Sequence, residues 1–194
     1  MAARLAFERV ACIRGDRLLF EDLSFALESG QAALLTGPNG SGKSSLIRLA
    51  AGLLRAAAGK IICEGGIALT AESAALDARL PLVEALRFWA RLDGVGRETI
   101  DAALDAMAIT NLAEVPVRML STGQRRRAAL ARVIAGRQSI WLLDEPGNGL
   151  DAASLERLGA AIAAHRARGG IALVATHQAL ALPDAVAIDL GARV

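Results

Sequence analysis

"QAALLTGPNGSGKSSLIRLA", Gln31 to Ala50, decides the fold. A short apolar run, "AALLT", leads into a glycine-rich loop, and apolar residues at helical spacing follow. Gly37 to Ser44 fits the pattern G-x-x-x-x-G-K-S/T with the strand and helix flanks that the pattern needs. Gly37, Gly40 and Gly42 let the backbone curl so that successive N–H groups face phosphate oxygens. Lys43 is placed to reach the outer phosphates, and the Ser44 hydroxyl is placed to sit on Mg²⁺. Pro38, Asn39, Ser41 and Ser45 complete the phosphate-binding run. The chain uses arginine 20 times and lysine only at positions 43 and 60. Such a chain keeps lysine where a compact point charge suits the loop.

A phosphate loop needs an acidic partner, and "IWLLDEP", Ile140 to Pro146, supplies one. The unbroken apolar run predicts a central parallel strand, and Asp144 falls at its C-terminal end, where such sheets bind ligands. Asp144 is expected to hold Mg²⁺, largely through its water. Glu145 is the candidate general base for the attacking water.

Outward from these two strands, the first third of the chain alternates apolar and polar residues. "RLAFERV", "RLLF", "LSFAL" and "QAALL" read as short strands joined by turns at Arg14 to Asp16 and Glu28 to Gly30. A helix is expected from about Lys43 to Leu54, then strands at "KIIC" and "GIALT". From Pro81 to about Gly136 the periodicity is helical. "AASLERLGAAIAAHRA" reads as an amphipathic helix, "IALVAT" as a buried strand and "AVAIDL" as a last strand. The predicted fold is α/β: a P-loop NTPase with a RecA-like parallel-sheet core, an N-terminal antiparallel β layer and a helical subdomain at about 73–136, all within one domain, 1–194.

Composition narrows the class of function. Of 194 residues, 54% are hydrophobic and 3% aromatic, with no tyrosine, which suits helices packed closely on a sheet. The net charge of +2, from 22 basic and 20 acidic residues, gives no global field for nucleic acid. Arg125 to Arg127 span more than one helix face and are expected to form a solvated or partner-facing edge. Cys12 and Cys63 make no metal-ligand or redox spacing and are expected to be buried free thiols. "MAARLAFERV" lacks the apolar core of a signal peptide. No apolar run approaches the roughly 20 residues of a membrane span, so a soluble, cytoplasmic chain is expected.

"MLSTGQRRRAAL", Met119 to Leu130, then poses a problem. Ser121 and Gln124 form a capping box, so a helix starts here with Gly123 in its first turn. A helix N-terminus of this kind offers donors to an anion, although the chain already has a phosphate loop.

Taken together, "GPNGSGKSS", "LSTGQRRR", "WLLDEP", "NGLD" and "ATHQ" resemble, in order, the motifs of the ABC-transporter ATPase family. The resemblance covers essentially the whole chain and resolves the problem. Domains of that family pair head to tail, with each ATP held between one chain's phosphate loop and the other's LSxGQ segment. The resemblance therefore implies an ATP sandwich with a second copy of the chain, in which Ser121, Thr122, Gly123 and Gln124 contact the neighbour's nucleotide. It implies that His177 contacts the γ-phosphate and orients Glu145, and that Asp151 links the two sites. Asp151 reads equally as the N-cap of the helix beginning "AASLE". His165, on a polar helix face, reads as structural.

Three departures from the family pattern stand out. Glu72 occupies the position of the usual Mg²⁺-contacting glutamine; a carboxylate there ligates Mg²⁺ but adds negative charge beside the phosphates, which is expected to weaken ATP affinity. The aromatic residue that stacks on adenine is replaced by Cys12, Ile13 and Arg14, with Arg14 either stacking on the base or lying solvated in a turn. No regulatory tail is expected after the histidine segment.

Separate integral membrane permease subunits are implied, docking near Phe88 and Trp89 if these are not subdomain core. In length and wording, "LSTGQRRRAALARV" and "AAHRARGGIALVATHQ" are most similar to ATP-binding subunits of haem exporters in cytochrome c maturation. "EPGNGLD" departs from the "EPTTALD"-like wording of that group. That likeness implies a peripheral ATPase on the cytoplasmic face of the bacterial inner membrane, using ATP and Mg²⁺, with no nucleic acid partner and no haem bound directly. The alternatives are the ATPase of another small-molecule or lipid exporter, an ATPase acting on ribosomes or DNA, which would carry paired domains or a coiled coil, and a small-molecule kinase, which leaves "LSTGQ" unexplained.

Overall fold

The computed structural model describes residues 3–70, 75–178 and 180–191. Strands β1 (Arg4–Arg14) and β2 (Arg17–Glu28) form a hairpin whose last pair is Arg14 with Arg17. The runs "RLLF" and "LSFAL", expected as separate strands, are one 12-residue strand. Two bulges explain why the apolar alternation breaks without ending the strand. Arg9 and Asp22 both take positive φ, of 49°, at register shifts on opposite strands.

Strand β3 (Ala32–Thr36) feeds helix α1 (Lys43–Ala50) through the glycine loop. That helix ends short of the expected Leu54, because Gly52 turns the chain at φ 70° and its N–H closes on the Leu49 carbonyl. Strand β4 (Ala58–Glu64) joins the hairpin, giving an antiparallel sheet in the order β2-β1-β4. Strand β5 (Ile67–Thr70) enters the parallel sheet instead.

The expected helical stretch resolves into α2 (Leu82–Leu92), α3 (Arg97–Ala106) and α4 (Thr122–Ala135). Between α3 and α4 lie two single 3-10 turns, where Pro116 interrupts helical hydrogen bonding. Strand β6 (Ile140–Asp144), helix α5 (Ala152–Ala167), strand β7 (Ile171–Ala175) and strand β8 (Val186–Asp189) complete the chain. All pairings in the five-stranded sheet β5-β6-β7-β3-β8 are parallel.

This sheet is covered on both faces. Ile140, Leu142, Leu173, Ala33 and Leu35 pack with α1 and the antiparallel sheet. Trp141, Leu143, Ala172 and Val174 pack with residues of α2 to α5. Every residue of β7 is fully buried, which is why "IALVA" shows no alternation. Each large aliphatic side chain buried in this way contributes about 1.5–3 kcal/mol.

The fold corrects several expectations. His165 does not sit on a polar face; it is 6% exposed and stacks flat on Trp141 at 3.9 Å, with Nε2 against the Ile171 carbonyl. Its role is structural, and burial lowers its pKa. Cys12 is buried with its thiol pKa pushed up by burial, but Cys63 is exposed. Trp89 is not a free apolar surface. The Arg132 guanidinium lies 4.7 Å from its ring centroid, and its Nε1 donates to the Ala75 carbonyl at 2.8 Å. Phe88 does stay open, at 55% exposure. Among the described residues, no helix is long and apolar enough to cross a membrane.

Candidate functional site

The glycine loop takes its shape from backbone that other residues would strain. Gly37, Gly40 and Gly42 have φ of 132°, 80° and 105°. At Gly42 a Cβ would also press within 3.1 Å of the Phe20 ring, so the strand β2 and the loop can meet only through glycine. Gly42 is the N-cap of α1 and offers no side-chain acceptor, which leaves the helix's first N–H groups open to an anion. Lys43 is 7% exposed, and its Nζ donates to the carbonyls of Gly37 at 2.7 Å and Pro38 at 3.1 Å. An ammonium folded onto its own loop, beside open helix N–H groups, matches the chemistry of a polyphosphate. Ser41 has a buried hydroxyl without a hydrogen-bond partner here.

The acidic pair lies opposite this loop. The Ser44 hydroxyl donates to Asp144 Oδ1 at 3.0 Å, across 100 positions of sequence. Burial raises the Asp144 pKa, the Ser44 hydrogen bond opposes this, and the neighbouring Glu145 charge raises it further. A hydroxyl and a partly desolvated carboxylate side by side are a donor set suited to Mg²⁺. Glu145 is held in the left-handed region, at φ 46°, a conformation that costs about 1–3 kcal/mol for a non-glycine residue. Its N–H donates to the Ala175 carbonyl at 2.8 Å, and its Oε2 lies 2.9 Å from His177 Nδ1. Glu145 is 22% exposed and His177 56%, so the pair opens outward from the end of the sheet.

A cleft of about 540 Å³ connects these parts. Its walls include Asn39, Gly40, Lys43, Ser44, Ser45 and Glu145, with Arg14 and Leu19 from the first hairpin and Arg48 from α1. Arg14, exposed at the end of the first hairpin, lies in the cleft wall, which fits either of its two sequence readings. Ser121 to Gln124 do not line this cleft. Ser121 and Thr122 are exposed at the start of α4. Gln124 N–H donates to Ser121 Oγ at 3.3 Å and Ser121 N–H to Gln124 Oε1 at 2.8 Å, so the capping box is formed. Asp151 caps α5, accepting the Ser154 N–H at 2.8 Å; hydrogen bonding from the Ser154 side chain, and then from this N–H, holds its carboxyl below the usual range. Glu72 lies outside the described residues.

Sequence reading missed how the site is braced. Arg126 is no solvated edge: its guanidinium donates to the Glu145 carbonyl, and more loosely to that of Asp144 at 3.4 Å. Arg127 likewise reaches the Ala108 carbonyl at 3.3 Å. Three consecutive arginines carry no signal that distinguishes the one facing inward; only the phase of α4 against β6 does. Gly147, the departure within "EPGNGLD", has the ends of two flexible side chains close by. A Cβ there would fall 2.6 Å from Gln178 Oε1 and 2.9 Å from Leu155.

Comparison with known proteins agrees with this geometry. The ABC transporter family model matches residues 20–148. An ABC-transporter ATP-binding protein from Pyrococcus furiosus superposes with a TM-score of 0.85 at 24% identity, covering 96% of this chain and 97% of that one, which supports the fold. Fold and site thus define the class, an ATP-binding subunit of an ABC transporter: a P-loop ATPase coupled to transport. The chain is 61% identical to the cytochrome c biogenesis ATP-binding export protein CcmA of Sphingopyxis alaskensis, over 98% of both chains. It is 53% identical to the protein of the same description from Zymomonas mobilis, over 97% of this chain and 85% of that one. The chain belongs to this family of cytochrome c biogenesis ATP-binding export proteins.

Proposed function

We propose that two copies of this chain, as single ATPase domains each with a helical subdomain at 73–136, hydrolyse ATP to drive a membrane complex that exports haem for c-type cytochrome assembly. The observation that carries the ATPase part is the convergence of Ser44, Asp144, Glu145 and His177 at one end of the parallel sheet, across from Lys43. The haem assignment rests on the relatives and their role in cytochrome c biogenesis.

In this reading the N–H groups of 37–45 and Lys43 Nζ hold the β- and γ-phosphates, with Lys43 released from the Gly37 and Pro38 carbonyls as phosphate replaces them. Arg14 stacks on or beside the base. Ser44 and Asp144 would hold Mg²⁺, with Glu72 the further ligand that the family resemblance implies, and the ion would supply charge neutralisation of the phosphates. Glu145 takes the proton of the attacking water while His177 orients the carboxylate and faces the γ-phosphate. The start of α4, Ser121 to Gln124, closes over the partner's nucleotide, and Asp151 meets the partner near its loop. The cytoplasmic face of the inner membrane is the working place, reached through membrane subunits that receive the Phe88 side of α2.

The test is deletion of the gene in its host, with haem-stained c-type cytochromes as the readout. Loss of these cytochromes, restored by wild type and not by Glu145→Gln, is the expected result. Cytochromes that persist after deletion would overturn the haem assignment and leave an exporter ATPase of other cargo.

A further inference from the structure

Helix α4 carries, within its first two turns, both the capping box and an arginine that reaches the acidic pair. Its N-terminus, through Ser121 to Gln124, is the part read above as gripping the partner's nucleotide. Arg126 stands five positions after the cap, about 7.5 Å further along the axis. From there its guanidinium reaches out of the helix to the backbone of the chain's own acidic pair. The Glu145 peptide is where a hold matters. Its residue sits at φ 46°, a conformation maintained by neighbours and not by local preference. On one side its N–H is fixed to Ala175 in β7 at 2.8 Å. On the other, its carbonyl accepts from Arg126 and from the Asn148 N–H, the latter at 3.2 Å.

The place of the bond is informative. One guanidinium nitrogen, Nη2 of Arg126, serves two successive main-chain carbonyls, those of Asp144 and Glu145, at the end of β6. The rest of α4 is tied just as firmly. Arg132 donates to the Leu69 carbonyl in β5, so α4 is joined to two neighbouring strands of the parallel sheet, β5 and β6.

We propose that Arg126 is a positioning residue: through the Glu145 carbonyl, the helix that grips the partner's nucleotide sets the catalytic carboxylate of its own site against His177. Nucleotide capture in one composite site thereby aligns the base in the other. The inference rests on the reading of Ser121 to Gln124 and Glu145 given under Proposed function.

The experiment compares Arg126→Gln, Arg126→Lys, Arg127→Gln and Glu145→Gln in the full-length chain assembled with its membrane subunits. ATP turnover, ATP affinity, the Hill coefficient and Tm are measured for each. Arg126→Gln is expected to lower kcat about tenfold and bring the Hill coefficient towards 1, with ATP affinity within about twofold of wild type. Arg126→Lys, which keeps the positive charge and a hydrogen-bond donor on a shorter side chain, is expected to recover part of kcat. Arg127→Gln removes the same charge from the same turn and is expected to keep kcat within about twofold. The inference is overturned if Arg126→Gln retains kcat and cooperativity, if its loss tracks Tm and ATP affinity, or if Arg127→Gln loses as much. Glu145→Gln separates the two failures. If it still turns over ATP, the reading of the site is wrong; if it is inactive while Arg126→Gln is normal, only the coupling is.

Discussion

Asp144 and Glu145 are adjacent carboxylates with different surroundings, and those surroundings assign them different work. Asp144 is partly desolvated at the strand end and receives the Ser44 hydroxyl; Glu145 turns outward through its left-handed backbone to meet His177. Burial raises the Asp144 pKa, so the folded chain binds this proton more tightly than the unfolded chain. The linked stability is present at low pH and is lost as pH rises through the folded pKa. Asp144→Asn removes the buried charge, so in the isolated chain without nucleotide Tm is expected to rise by about 2 °C at pH 8, a gain that fades as the pH falls through the folded pKa of Asp144. Thermal unfolding across that range checks it, and no gain at pH 8 would mean that Arg48 and Arg126 already offset the burial. His177→Ala leaves the phosphate loop intact but frees the Glu145 carboxylate. Turnover is expected to fall by about 10²-fold or more with ATP affinity little changed, in single-turnover assays. At this scale the sequence was informative about Asp144, Glu145 and Lys43, whose spacing from strand ends and loop glycines places them. It was silent about Arg126, because side chains at consecutive helix positions differ only in where the helix is turned.

Among the elements, α4 carries a local rule and a functional one in the same residue. Ser121→Ala removes the cap, at a cost of about 1 kcal/mol, and is expected to lower Tm by about 2–4 °C. Ser121→Asp separates the roles, since aspartate caps a helix as well as serine does while placing a negative charge where a partner's phosphate is received. Its Tm is expected to stay near wild type while ATP turnover in the assembled complex is lost. Retained turnover would show that the start of α4 does not meet nucleotide. Element types were mostly legible from periodicity: the parallel strands from unbroken apolar runs, α2 to α5 from their repeat. Element limits were less so. The single strand β2 contains a bulge that breaks alternation as a turn would, and α1 stops at a glycine that helical spacing passes over.

For the whole molecule, the separation of Ser121 to Gln124 from the cleft is the central fact. One chain presents a phosphate loop and an exposed capping box at different places, and in the proposed function a second chain brings the two together. Glu145→Gln is expected to accumulate as an ATP-bound dimer at millimolar ATP, seen as a shift in size-exclusion elution, and adding Ser121→Asp is expected to return it to monomer. A monomeric Glu145→Gln under these conditions would count against the sandwich. By itself the sequence determined the parallel α/β core, the phosphate loop, the acidic strand end and the capping box, because each is a short run whose chemistry depends on neighbours in the chain. Only the tertiary structure decided that Ser44 meets Asp144, that Arg126 holds the Glu145 peptide, and that His165 and Trp89 answer to packing. Ser44 and Asp144 stand 100 positions apart, Arg126 and Glu145 19, and the distances between them are set by how the helices pack on the sheet, which local periodicity does not encode.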